Sequence, residues 1–191
     1  MPTRQVTTKM SVRASQFAQT IQLRDGSPAL VRAIRADDRQ RLQTAFLALD
    51  PESVYLRYFA YKRELTEADL DRMCKPDFVE RVVLVVTVGA GADEIIIGSG
   101  GYVMHTTSDG ARVAEVAFAV EEDFQGQGIA NKLLLVLVDL GREDRIARFD
   151  AEVLAHNTPM LAVFQGSGLP MHQQRGDEGV VTLSMSLLKP A

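Results

Sequence analysis

The sequence predicts a single α+β domain in which helices flank a mixed, mostly antiparallel central sheet. Two observations lead to this prediction. Capping residues and prolines typical of helices dominate residues 37–76, whereas short β-branched runs dominate residues 81–120. The chain of 191 residues is long enough for one substantial core, and no internal repeat or low-complexity linker divides it.

The first half of the domain is predicted to hold one strand followed by two or three helices. A turn at residues 25–28 precedes the segment ALVRAIR, whose alternation is typical of a strand. Asp37-Asp38 is expected to cap a helix that extends to residue 49. Pro51 begins a second helical segment, PESVYLRYF, and a third helix, TEADLDRMC, ends before Pro76.

The second half is predicted to supply most of the sheet. RVVLVVTV is a buried strand, and the next strand, IIIGSGGYVMH, contains glycines that indicate a bulge. A third strand covers residues 112–120. A helix buried on most of its circumference then begins near Gly126 and stops at Gly141. A strand at 148–154, a helix at 158–167 and a last strand, VVTLSMSL, complete the order.

Charge and composition argue against several classes of protein. A net charge of −4 is a poor basis for nonspecific nucleic-acid binding, and no apolar run approaches the ~20 residues of a membrane helix. Cys74 is the only cysteine, and the three histidines are not spaced as metal ligands, so we expect no metal. A single cysteine cannot form an internal disulfide, which fits a reducing compartment, so we expect a cytoplasmic location.

Residues 1–22 are expected to form a flexible tail, and residues 23–191 the folded domain. The first 24 residues carry four basic side chains and no acidic one, which is also typical of an organelle transit peptide. We favour the interpretation as a frayed terminus and assign it no function.

The junction QGQG, residues 125–128, separates a buried strand from a buried helix. The first N–H groups of a helix have no intrahelical partners, and the helix dipole makes that end positive. Gly126 and Gly128 lack the Cβ atoms that would keep an anion away from the backbone. The spacing therefore fits a phosphate cradle, although a simple tight turn explains the glycines about equally well.

Other nucleotide-binding motifs do not fit this junction. The sequence contains no G-x-x-x-x-G-K-[ST], and Asn131 stands where G-x-G-x-x-G requires its third glycine. The segment also comes late in the domain, after strands that are expected to be antiparallel, whereas a dinucleotide fold places its phosphate loop first.

The chain resembles the GNAT superfamily of acetyl-CoA-dependent N-acetyltransferases. FQGQGIA fits the superfamily pattern [QR]-x-x-G-x-[GA] with Gln125, Gly128 and Ala130, and AEVLAHNTPMLAVFQGSGL resembles the strand, asparagine and helix that close the coenzyme A site. The order of elements over residues 28–188 also matches. The resemblance implies the GNAT acyl-CoA N-acyltransferase fold, with acetyl-CoA as cosubstrate.

A narrower resemblance is to bacterial protein lysine acetyltransferases of the Pat type. Their catalytic domains carry an L-R-D-G opening, a P-E-S-x-Y-x-R-[YF]-F helix and an A-E-V-A-F strand. This chain has LRDG, PESVYLRYF and AEVAF at the corresponding places. The resemblance implies a protein lysine as the acceptor.

Glu115 is the candidate general base, because an amine near its ordinary pKa of ~10.4 is protonated at neutral pH and must lose a proton before it attacks. On an alternating strand Glu115 shares a face with Ala117 and Ala119, whose small side chains leave room for a substrate. We expect it to be buried, which strengthens a carboxylate as a base. A salt-bridged or edge-exposed glutamate is the alternative. The Pat-type resemblance implies the same catalytic role.

The resemblance also implies the coenzyme contacts. Backbone groups of Phe118, Ala119 and Val120 are expected to pair with the pantetheine arm like an added strand. Asn157 is expected to contact the coenzyme, and a plain helix cap is an equally fitting role. Phe164 occupies the position where many members have a tyrosine that protonates the thiolate, and it has no proton to donate. The expected pyrophosphate-binding residues are Gln125, Gly126, Gln127, Gly128, Ile129 and Ala130.

The sequence therefore predicts an N-acetyltransferase that moves acetyl from acetyl-CoA to a primary amine within a ternary complex. The expected partners are acetyl-CoA and an amine acceptor, with a homodimer left open. A small-molecule amine acetyltransferase and a noncatalytic coenzyme A sensor are the alternatives. Phe164 favours the sensor, and Glu115 opposes it.

Overall fold

The computed structural model describes residues 13–188 and contains one mixed sheet of eight strands. Their order across the sheet is β1-β2-β3-β4-β5-β6-β8-β7, and every neighbouring pair is antiparallel except β5 and β6. The predicted fold class is therefore confirmed. The strands are β1 (Ala18–Gln22), β2 (Pro28–Ala33), β3 (Arg81–Val88), β4 (Ile95–Thr106), β5 (Arg112–Val120), β6 (Arg148–Leu154), β7 (Met171–Arg175) and β8 (Val180–Ser186).

Helices cover both faces of this sheet. The first three form a cluster over one face with β3 residues Val83 and Val85, whereas Val82, Leu84 and Val86 face the opposite layer. Because β3 is covered on both faces, its sequence is a continuous apolar run rather than an alternating one. The helices are α1 (Arg39–Ala48), α2 (Pro51–Tyr58), α3 (Glu67–Cys74), α4 (Ile129–Glu143) and α5 (Thr158–Gln165).

Helix α4 packs against the sheet and its neighbours over most of its surface. Leu133, Leu134 and Leu137 are buried and the exposed residues, among them Leu135 at 52%, form one narrow stripe, so the expectation that most of the circumference is buried is confirmed. The helix also continues past Gly141 to Glu143, so that glycine does not stop it. A Cβ there would lie 2.8 Å from the Phe149 ring, so the glycine is required by close packing of the helix on the sheet.

Two edge strands were not predicted. β1 pairs with β2, so the expected flexible tail over residues 1–22 is wrong for Ala18–Gln22. Residues 1–12 lie outside the described part of the chain. β7 pairs with β8 at the other edge of the sheet. The predicted bulge is confirmed, because the register between β3 and β4 shifts after Val86.

A buried ion pair ties β2 to the start of α1. The Arg32 guanidinium donates to both carboxylate oxygens of Asp38, at 2.6 and 2.7 Å, and both side chains are 1% exposed. Arg32 Nε also donates to Glu94 at 3.1 Å. Asp38 was expected to cap α1, but its side chain instead accepts from Arg32 and from the backbone N–H of Arg35, so the cap is absent.

A second buried polar pair joins β4 to the end of α4. The Tyr102 hydroxyl donates to Asp144 Oδ2 at 2.7 Å. Burial raises the pKa of Asp144 above its ordinary value, and the hydrogen bond from Tyr102 opposes that effect only partly. Within residues 13–188, no helix is long and apolar enough to cross a membrane.

Candidate active site

A groove of about 860 Å³ opens where β5 and β6 diverge. The two strands pair only over Val113–Glu115 and residues 148–150, whereas β5 pairs with β4 along its whole length. From Val116 to Val120 the other edge of β5 therefore carries no strand, and these residues line the groove. A free strand edge of this kind offers hydrogen bonds to an extended ligand that contains amides.

The QGQG junction forms the end of the groove at the start of α4. Gly126 and Gly128 have φ values of +73° and +85°, a left-handed conformation that favours glycine. A Cβ on Gly126 would meet no atom within 4 Å, so this surface is open. The junction is therefore more than a tight turn, since its glycines also leave the backbone accessible from the groove.

Unpaired backbone donors are concentrated at this junction. None of the N–H groups of residues 126–131 donates a hydrogen bond within the described residues, whereas the next one, that of Lys132, donates to the Gly128 carbonyl at 3.1 Å. The helix dipole adds positive potential at the same place. This set of free donors suits a diphosphate.

The Gln125 side chain links the junction to β5 and to α2. Its Nε2 donates to the Val120 carbonyl at 3.2 Å and to Ser53 Oγ on α2 at 3.4 Å. The side chain thus fixes the loop relative to the end of β5. Among the predicted junction residues, only Gln127 does not line the groove, and its side chain accepts from the Asp25 N–H at 3.1 Å instead.

Glu115 lines the groove, but the expectation that it is buried is wrong. The residue is exposed on β5, at the last register position where β5 and β6 still pair. Its carboxylate has no hydrogen bond or ion pair within residues 13–188. Its face also carries the half-buried Ala117 and Ala119, and Val116 and Phe118 are buried on the opposite face, as the alternation predicts.

Gly100 of β4 makes room for the Phe118 side chain. A Cβ on Gly100 would lie 2.6 Å from the Phe118 ring, so glycine at this position makes room for it. The Phe118 ring also packs against Phe164 of α5, with ring centroids 5.8 Å apart. Phe164 is 2% exposed and lines the groove without any polar atom on its side chain. The structure thus places no proton donor at that position.

Asn157 borders the groove at the start of α5. Its side-chain oxygen accepts from the backbone N–H of Met160 at 3.2 Å, so the residue caps the helix. The cap leaves the side-chain amide N–H groups without a partner among the described residues. Asn157 can therefore cap α5 and contact a ligand at the same time.

Charged side chains that sequence reasoning did not assign to the site also line the groove. Carboxylates outnumber guanidinium groups in the lining. Both carboxylate oxygens of the half-buried Glu122 are buried and have no hydrogen-bond partner within the described chain. Burial raises the pKa of the adjacent Glu121, and neighbouring carboxylates add to that effect. The charged lining residues are Asp50, Glu52, Glu115, Glu122, Glu152, Arg24 and Arg57.

The histidines and the cysteine considered in the sequence do not all lie at the groove. His156 lines the groove, although its position in the sequence gave no signal for this. Cys74 is buried. Over residues 13–188, no group of three or more metal-ligating side chains is placed to hold a metal ion.

Comparison with known proteins identifies the family of this fold and groove. Residues 29–170 match the family model for an acetyltransferase (GNAT) domain, which is more than half of the chain. The chain is 30% identical over 161 residues to the acetyltransferase Pat of Mycolicibacterium smegmatis, an alignment that covers 84% of this chain and 46% of that protein. The chain thus spans about half the length of this curated relative.

Solved structures agree with this assignment. The GNAT domain of S. lividans PAT matches with a TM-score of 0.79 and 36% identity, over 88% of this chain and 96% of that chain. Salmonella typhimurium yncA, solved with acetyl-CoA, matches with a TM-score of 0.66 and 16% identity, over 85% and 96% of the two chains, which shows the fold alone. The resemblance predicted from the sequence is confirmed: the chain belongs to the GNAT acetyltransferase family, the acetyl-CoA-dependent acyltransferases.

Proposed function

We propose that this protein transfers the acetyl group of acetyl-CoA to a primary amine, with a protein lysine as the acceptor. The observation that carries the proposal is the placement of three features in one groove: the free edge of β5, the unpaired N–H groups of residues 126–131 and the exposed Glu115. The first two fit the pantetheine and diphosphate of a coenzyme A thioester. The third fits removal of a proton from the attacking amine.

The donor is expected to lie with its diphosphate at the start of α4 and its pantetheine along β5. Its amides would pair with backbone groups of Phe118 and Val120, as an added strand does. Ala117 and Ala119 leave space beside that strand, because their side chains are the smallest that still carry a Cβ. The acetyl-CoA bound to yncA, which shares this fold, supports the choice of donor.

In the proposed reaction Glu115 accepts the proton from the ammonium form of the acceptor, directly or through a water molecule. The freed amine attacks the thioester carbonyl carbon, a C–N bond forms and the C–S bond breaks, and the second proton that the nitrogen loses as the amide forms passes through water to the leaving sulfur. Phe164 cannot protonate the leaving sulfur. A thiol has an ordinary pKa of roughly 8.5, so the thiolate is a good leaving group near neutral pH, and it receives the proton released by the nitrogen through water.

The charges in the groove support a cationic acceptor. Carboxylates predominate in its lining, and those of Asp50, Glu52 and Glu122 lie on elements other than β5. Such a surface attracts an ammonium group before Glu115 deprotonates it. The Pat-type resemblance supports a lysine within a protein, and a small-molecule amine is the second candidate because its charge is the same.

Glu115→Gln tests the proposed base. We expect kcat to fall by about 10²- to 10⁴-fold, since glutamine cannot accept the proton, while the Kd of acetyl-CoA stays within about twofold. The release of free thiol is measured against a panel of amines and lysine-containing proteins, and acetyl-CoA binding is measured by calorimetry.

Glu152→Gln is the matched control, because Glu152 is an exposed carboxylate that lines the groove from β6. It is expected to retain turnover. Full activity in Glu115→Gln, or loss of activity only in the control, would remove Glu115 as the base. The absence of thiol release with every acceptor would instead support a coenzyme A sensor, and a response from small amines alone would exclude a protein acceptor.

A further inference from the structure

The turn between β1 and β2 packs against the junction that precedes α4. The backbone N–H of Arg24 donates to the Gln127 carbonyl at 3.3 Å, and Arg24 Nη1 donates to the Gly126 carbonyl at 2.8 Å. The turn is itself fixed, because Asp25 Oδ1 accepts from both the N–H and the hydroxyl of Ser27, at 2.8 and 2.7 Å. A rigid segment about 100 residues away in the sequence therefore supports the loop.

This contact determines where the loop's N–H groups point. The N–H and C=O of a trans peptide point in opposite directions, and the described chain has no cis peptide bonds. Because Arg24 binds the carbonyls of Gly126 and Gln127, it fixes the two peptide groups that carry the N–H groups of Gln127 and Gly128. Both donors are unpaired within residues 13–188.

The Arg24 guanidinium also keeps its positive charge available. Its hydrogen-bond partner is a neutral carbonyl, and no described carboxylate forms an ion pair with it. In contrast, Arg32 and Arg39 are each paired with two carboxylates. Arg24 lines the groove, and its Nε lies 3.8 Å from the point that a Cβ on Gly128 would occupy.

We propose that Arg24 binds the diphosphate of the acyl donor directly, and so selects a full coenzyme A thioester over a thioester that ends at pantetheine. The inference rests on the proposed function, in which the groove binds acetyl-CoA. The planar guanidinium presents several N–H donors in an arrangement that matches phosphate oxygens, and the remaining donors are unused. Since carboxylates dominate the groove, an anionic group needs this cation close to it.

The experiment compares acetyl-CoA with S-acetylpantetheine, which has the same thioester but no diphosphate. Calorimetric titrations use the full chain and the variants Arg24→Gln and Arg24→Lys. We expect Arg24→Gln to weaken acetyl-CoA binding about ten- to hundredfold and to leave S-acetylpantetheine binding unchanged. Arg24→Lys keeps the charge but not the planar donor set, and its affinity for acetyl-CoA is expected to be intermediate.

Arg57→Gln is the matched control, because it removes the same charge from the α2 side of the groove. It is expected to change acetyl-CoA affinity by less than about twofold. The inference is overturned if Arg24→Gln weakens both ligands equally, if it weakens neither, or if the Arg57 variant loses as much affinity. If the wild-type protein fails to bind acetyl-CoA, the proposed function fails as well, so the two failures are distinguishable.

Discussion

Replacing Gly128 by alanine tests the junction sharply, because the structure offers a matched glycine elsewhere. Gly128 has φ +85°, and Gly110, in the turn between β4 and β5, has φ +84°. A Cβ on Gly110 would meet no atom within 4 Å, and one on Gly128 would meet only the flexible side chain of Arg24, at 3.8 Å. Both substitutions therefore impose the same backbone strain without a clash in the protein.

The magnitude follows from that geometry. A left-handed conformation costs an alanine about 1–2 kcal/mol, so both variants should lose that much free energy of unfolding. Of the two glycines, only Gly128 lines the groove. In the proposed binding mode a Cβ on Gly128 would occupy space at the start of α4 where a diphosphate oxygen approaches the free N–H groups. We therefore expect Gly128→Ala, but not Gly110→Ala, to weaken acetyl-CoA binding by at least about tenfold.

Urea denaturation of the ligand-free proteins gives the two stability changes, and calorimetric titration with acetyl-CoA gives the affinities. Similar losses of stability in the two variants would show that Gly110→Ala is a valid control for Gly128→Ala. If Gly128→Ala then bound acetyl-CoA as tightly as Gly110→Ala, the start of α4 would not be the diphosphate site. If both variants bound weakly, strain rather than contact would explain the effect.

Two predictions concern the buried polar groups. Arg32→Met should lower the free energy of unfolding by about 3–5 kcal/mol in urea titrations, because it leaves Asp38 buried without its partner; an effect under about 1 kcal/mol would show that water reaches the carboxylate. Because the pKa of Asp144 is raised above 3.8, its contribution to stability is present below pH 3.8 and is lost as the pH rises through the folded-state value. Asp144→Asn should therefore gain stability relative to the wild type between pH 4 and pH 7 in thermal melts, and a pH-independent difference would contradict this.

The parts of the site that sequence analysis located are those built from one continuous stretch of backbone. The bounds of β5 and β6 are as predicted, since apolar runs and turn residues mark both strands. The left-handed glycines at 126 and 128 lie at the junction where the QGQG pattern indicated an open backbone. Local sequence determines such features because each residue's own conformational preference is enough to specify them.

Other features left no local signal. β1 and β7 are edge strands whose side chains are largely exposed, so they lack the apolar alternation that marks a half-buried strand. The exposure of Glu115 depends on where β6 diverges from β5, which is a property of the assembled sheet. Arg24 belongs to the LRDG motif, but its contact with Gly126 joins segments far apart in the chain, and only the tertiary structure brings them together.

This difference between local and assembled features explains why the donor could be predicted from sequence motifs, whereas the acceptor was implied only by the Pat-type resemblance. A coenzyme A thioester is long, and its diphosphate and amides match backbone groups that a single strand–loop–helix segment supplies. In the proposed function the acceptor is attracted by carboxylates from separate elements, those of Asp50, Glu52 and Glu122, all of which line the groove. In the sequence each of these carboxylates looks like an ordinary surface residue. Only in the folded protein do they line one groove, where together they produce a negative potential. The choice of acceptor therefore depends on the spacing of charges in three dimensions, which substitutions can change while the donor site stays intact.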